Sequence, residues 1–257
     1  MSQSTKAPSE ANFRFQYPIR TNPVLAELKV AAGLELHGGD ELEKAKIIIG
    51  YAHGLFAHNG DNQPSAADPL TILEEAKAGK SFRCVEYSTL AAGLLWAHGI
   101  PARTIGLKTE DVETREYGAG HVVIEFWDDG KQKWIMSDVQ AGVIPTSAGV
   151  PLSAYELRQK LEGDDAIVYL PVAHSRFTPN APYGDKPSYS GWIKEYLYFI
   201  DTPAALTLGN EDKPKQQIVM LVPAGAKPPI MFQGMLRMNA IYMHNVADFY
   251  PKYEAVR

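Results

Sequence analysis

Apolar and polar positions along this chain recur with two periods, and the change from one to the other marks out the elements. Behind an acidic first turn, "DELEKAKIIIGYAHGLFAH" spaces its apolar residues at helical intervals, and the turn-rich "HNGDNQPSAADP" ends it. A second helix is bracketed by Asp68 as N-cap, Pro69 at the first helical position and Gly79 past the end of "LTILEEAKA". From Cys84 to His98, "CVEYSTLAAGLLWAH" is small or apolar on nearly all sides, which predicts a buried central helix closed by Gly99 and Pro101. The period then shortens. "ARTIGLKT" reads as a strand, "EDVETREYGAG" as a polar loop, and "HVVIEFW" alternates into "DDG" before "KQKWIMSD", so the two form a β-hairpin.

"PLSAYELRQKLEG" predicts one more helix, capped by Ser153 with Glu156 in capping-box spacing. Beyond about residue 165 the texture changes again, because "WIKEYLYFIDT", "QQIVMLVP" and "PPIMFQGMLRM" are short β-like runs separated by Pro, Gly and Asn. The expected organisation is a polar N-terminal tail over 1–20, a core over 21–165, and a β-rich C-terminal extension over 166–257 packed on it. No internal repeat of fixed period is visible.

Composition narrows the function classes. The 257 residues are 45% hydrophobic and 21% charged, the balance of an ordinary globular chain with enough apolar material for a substantial core. A net charge of -5 and the lack of a long Lys/Arg run argue against nucleic acid or an anionic membrane surface as partner. Apolar runs such as "IIIGYAHGLFA" are broken well short of the roughly 20 residues a membrane span needs. The start lacks the apolar core of a signal peptide, and one cysteine forbids an internal disulfide, so a cytoplasmic and an exported location both fit. Oligomeric state is not legible.

The candidate chemistry centres on that one cysteine. At the start of a buried helix, unpaired N–H groups and the helix dipole favour a thiolate. His121 opens one strand of the hairpin and Asp138 closes the other, so antiparallel neighbours can hold imidazole beside carboxylate. In such a Cys-His-Asp set the His takes the thiol proton and later gives it to a leaving amine, while the Asp fixes its tautomer. Read singly, Cys84 is an inert core residue, His121 a strand-end surface residue and Asp138 a turn residue. Their co-occurrence favours the chemical reading.

"FRCVEYS", "HGIPART", "GAGHVVIEFW" and "KWIMSDVQAG", in this order, resemble the transglutaminase-like superfamily of papain-like cysteine enzymes. The resemblance covers roughly residues 40 to 145 and implies an α+β, papain/transglutaminase-like fold, a central helix packed on an antiparallel sheet. It also implies Cys84 as nucleophile, His121 as general acid/base and Asp138 as orienting carboxylate. "HNGDNQP" and "YLYFIDT" with "LVPAGAKPP" are similar to a less characterised bacterial branch. The implied reaction is acyl transfer from an amide or peptide through a Cys84 thioester, with hydrolysis preferred because no D-x-[DN]-x-[DN]-G calcium loop of a gated cross-linker is present.

Around that set, His58, Asn59 and Asn62 are oxyanion candidates, and Glu86, Gln140 and Trp134 are cleft candidates, with Glu86 equally an ordinary first-turn residue and Trp134 favoured as core. Arg103 is expected to pair with Glu86 or another carboxylate. No cofactor or metal is expected. "AKAGKSF" has Glu74 where a phosphate loop needs Gly, and His53 and His58 are five apart without an acidic partner. The rivals are amine-acceptor transglutaminase chemistry, an arylamine N-acetyltransferase, whose Arg-Gly-Gly lead-in "FRCVEY" lacks, a non-catalytic peptide-binding module, and a redox-sensing thiol.

Overall fold

The apolar stretch from Cys84 forms the helix on which the others assemble. In the computed structural model, which describes residues 13–18, 22–206, 208 and 217–254, the helices are α1 (Pro23–Ala32), α2 (Glu41–Gly54), α3 (Pro69–Lys77), α4 (Cys84–Ala97), α5 (Ala154–Glu162), α6 (Tyr189–Tyr196) and α7 (Val246–Phe249). The strands are β1 (Ala102–Lys108), β2 (Gly120–Asp128), β3 (Lys133–Ser137), β4 (Val143–Ser147), β5 (Val150–Pro151), β6 (Val168–Pro171), β7 (Phe199–Pro203), β8 (Ile218–Leu221), β9 (Met231–Phe232), β10 (Leu236–Arg237) and β11 (Ala240–Met243).

Helix α4 can be apolar all round because every side of it is covered. α1, α2 and α3 surround it, β1 and β2 lie against it, and Leu90, Leu94 and Leu95 are fully buried. Gly93 allows the closest approach: a Cβ there would lie 2.6 Å from Pro69 Cβ and 3.1 Å from Leu28 Cδ2. α3 begins as its sequence predicts, with Asp68 Oδ1 accepting from the N–H groups of Leu70 and Thr71. α2 stops at Gly54, short of His58, because the chain after it bridges Phe82 instead.

Two N-terminal features differ from expectation. Asn22 caps Val24 N–H at 3.0 Å and Pro23 follows, which builds α1 where no helix is predicted. Residues 13–18, assigned to a polar tail, are packed: Phe15 meets Phe249 edge-on and Tyr17 lies against Trp96 and Trp134. Their alternating aromatic residues, rather than their polar neighbours, decide the matter. Positions 1–12 and 19–20 of that tail lie outside the described residues.

The main sheet runs β11-β8-β7-β1-β2-β3, antiparallel except for the parallel β8–β11 pair. The predicted hairpin is β2–β3, in register from Ile124↔Ser137 to Asp128↔Lys133. Ile124 and Phe126 pack with α4, whereas Val123 on the alternate face packs with residues of α5 and α6 such as Leu157 and Ile193. The result is the α+β layout that the sequence predicts, a central helix on a largely antiparallel sheet.

The C-terminal segment extends this sheet through β7, β8 and β11. Within it "WIKEYLYFIDT" divides. Its first half belongs to helix α6, capped by Ser188 Oγ accepting from Gly191 N–H at 3.3 Å, and only Phe199–Pro203 is strand. Aromatic residues favour strands intrinsically, but Tyr189, Trp192, Ile193 and Tyr196 recur at helical spacing, and burying that face overrides the local preference.

Candidate active site

Cys84 is the first residue of α4 and is half-buried. Its neighbour Arg83 has extended backbone, and Glu86 turns back on it: Oε2 accepts from Arg83 N–H and Nε, both at 3.1 Å, and Oε1 from Nη2 at 2.6 Å. Arginine offers no acceptor, so this is the carboxylate half of a capping box. Glu86 thus anchors the turn that presents Cys84 and raises the Arg83 pKa, first through its hydrogen bond. Arg103, in contrast, bonds Glu125 and not Glu86.

His121 and Asp138 meet across the hairpin on a diagonal. Continuing the β2–β3 register sets Asp138 opposite Val123, so His121 reaches it obliquely. His121 Nε2–H donates to Asp138 Oδ2 at 2.7 Å, and the Cys84 side chain acts on the same imidazole by raising its pKa. With Nε2 committed, Nδ1 is the nitrogen left to the thiol. Burial alone would depress the His121 pKa, but the Asp138 carboxylate and the Cys84 side chain outweigh it and raise the value to about 10. Burial likewise pushes Asp138 up, and the His121 charge with three hydrogen bonds brings it below the usual carboxylate value.

Asp138 is fully buried and fully partnered. Besides His121 it accepts from Ala141 N–H on Oδ1 at 3.0 Å and from Tyr189 O–H on Oδ2 at 2.7 Å. The ring of His121 is met edge-on by Trp192 at 4.9 Å and Tyr196 at 6.1 Å. Tyr189, Trp192 and Tyr196 all come from α6 and are absent from the sequence reading, which took that segment as strand. A Ser188 cap followed by aromatic residues at i, i+3 and i+7 was the signal for them.

The remaining candidates separate. His58 lies beside Phe82, two residues before Cys84, and Asn59 N–H donates to Phe82 O at 2.7 Å. Burial lowers the His58 pKa first and the His121 charge lowers it further, so its imidazole senses the pair. Asn59 Oδ1 accepts from Asp61 and Asn62 N–H, and Asn62 Nδ2 donates to Ser81 O at 3.0 Å, so both side chains build the loop. Against burial, Gln140 acts to lower the Tyr183 pKa, and its own buried Oε1 has no hydrogen-bond partner among the described residues. Trp134 is buried elsewhere, with its Nε1 on Pro251 O and the Arg103 guanidinium 4.5 Å from its ring, so it does not line this site. Cavities of about 510 and 830 Å³ lie apart from Cys84, although the larger is lined by Ala57 and Tyr87, neighbours of the site.

Residues 29–139 match the family model described as the transglutaminase-like superfamily, a span that contains Cys84, His121 and Asp138. No curated protein matches the chain. Among solved structures the chain is similar to a candidate cysteine protease from Cytophaga hutchinsonii, at 16% identity and a TM-score of 0.35, over 46% of this chain. The chain spans only 37% of the length of that protein. Over residues 29–139 this protein is thus similar to the transglutaminase-like superfamily.

Proposed function

We propose that Cys84 is the nucleophile of an amide- or peptide-directed acyl transfer whose usual acceptor is water. One observation carries the reading: a half-buried thiol at a helix N-terminus raises the pKa of an imidazole that a buried carboxylate holds at 2.7 Å. The Cys84 proton passes to His121 Nδ1, and the sulfur attacks the carbonyl carbon. The oxyanion formed is met by the Cys84 backbone N–H in the unpaired first turn of α4 and by the His58 N–H, whose ring is kept neutral by burial and by its charged neighbour.

His121 then gives its proton to the departing nitrogen, the C–N bond breaks, and a thioester remains on Cys84. Water, losing a proton to the same imidazole, attacks the thioester carbonyl and frees the acid and the thiol. An amine entering in place of water would complete a transamidation, so the two outcomes differ only in the acceptor.

The test is a panel of fluorogenic peptide and simple amide substrates, each with and without a primary amine. Wild type is expected to release amine, Cys84→Ala to lose turnover, and His58→Ala to lose roughly ten- to a hundred-fold in kcat. Undiminished turnover in Cys84→Ala refutes the proposal. Product found wholly on the added amine moves it to transamidation.

A further inference from the structure

We infer that Tyr189 is a positioning residue for the acyl-transfer site, holding Asp138 ionised and in one orientation while His121 exchanges its proton. The inference rests on the reading of Cys84, His121 and Asp138 given above. It concerns a residue fifty positions beyond the end of the family match, on α6.

Tyr189 O–H donates to Asp138 Oδ2 at 2.7 Å, the oxygen that also receives His121 Nε2–H at 2.7 Å, while Ala141 N–H holds Oδ1 at 3.0 Å. The carboxylate therefore has two donors that do not depend on the imidazole. Tyr189 is itself immobilised: it is 1% exposed, and Tyr169, Phe177 and Tyr183 meet its ring edge-on at 5.0, 5.3 and 5.0 Å. Burial and the adjacent carboxylate raise its pKa well above that of a free phenol, so it stays a donor wherever Asp138 is charged. A buried carboxylate deprived of one donor favours its protonated form, and a protonated Asp138 can no longer support the imidazolium that activates the thiol.

Iodoacetamide alkylation of Cys84 against pH tests this without a substrate, because the chain has one thiol. Tyr189→Phe removes only the hydroxyl, and the ring cage keeps the fold. The acid limb of its alkylation profile is expected to move upward by about one pH unit, which slows alkylation about ten-fold at pH values on that limb. Tyr169→Phe, which loses a bond to Ser190 rather than to Asp138, is expected to match wild type. Site-specific 3-fluorotyrosine at 189, isosteric with a stronger donor, is expected to move the limb the opposite way, and serves if Tyr189→Phe does not fold. If His121→Ala slows alkylation but both changes at 189 leave the profile unmoved, the role of Tyr189 is overturned alone. If His121→Ala alkylates like wild type, the acyl-transfer reading falls as well.

Discussion

The bond between His121 and Asp138 ties the protein's stability to pH. An imidazole has an ordinary pKa near roughly 6.5, and in the folded chain His121 is raised to about 10. Its contribution to stability is therefore complete below roughly 6.5 and disappears as pH rises through about 10. Asp138 is depressed, so its share is present above roughly 3.9 and lost as pH falls through its lowered value. Between these limits lies a plateau with an alkaline edge set by His121. Thermal melts from about pH 6 to 10 are expected to show Tm falling in wild type and a flatter profile in His121→Gln. Parallel slopes would mean that the pair is not ionised in the folded state. Glu86 belongs to the same scale: Glu86→Ala removes the acceptor for Arg83 N–H and guanidinium, and is expected to cost about 1 kcal/mol while slowing Cys84 alkylation.

At the scale of elements, the sequence is most legible where one signal acts alone. α4 reads directly, since fourteen residues without a polar face have to be covered on every side. The β2–β3 hairpin and the Ser153 capping box are equally plain, because alternation and cap spacing are local. α6 is misread because Tyr189, Trp192 and Tyr196 satisfy a strand's preference and a helix's spacing together, and only contact with β2 and Asp138 decides between them. Asp138 is visible in sequence, but its second partner is not, since fifty-one residues separate it from Tyr189. Arg103 illustrates the same limit. It bonds Glu125 Oε2 from two nitrogens, at 3.1 and 2.8 Å, and reaches Phe249 O at 3.2 Å, linking β1, β2 and α7. Glu125 also accepts from Ala154 N–H and Tyr250 O–H, so four elements or turns converge on one buried pair. Arg103→Ala strands that carboxylate, and a loss of roughly 3–5 kcal/mol is expected in urea unfolding. A loss below about 1 kcal/mol would show the network to be dispensable.

For the whole molecule, the change of texture near residue 165 and the physics of the sheet point in different directions. We propose that the change marks a difference in sequence style within one folding unit. β7 covers the edge of β1, where Gly106 faces Asp201 so closely that a Cβ would lie 2.5 Å from Oδ1, and Lys108 pairs with the same buried carboxylate. Without residues 166–257, β1 becomes an open edge, Lys108 loses its counter-charge, Arg103 loses Phe249 O, and Asp138 keeps two donors in place of three. Each loss falls on a buried polar group, the kind of group a small domain can least leave unpaired. A fragment of residues 1–165 is therefore expected to lack a cooperative melt by circular dichroism and to alkylate at Cys84 no faster than a free thiol. The complementary substitution Gly106→Ala in the full chain is expected to lower Tm by several degrees, because it drives Asp201 from Lys108 without removing any element. A fragment that melts cooperatively and retains wild-type alkylation would show that the core is complete without its extension, and that the α6 contacts refine a site already formed.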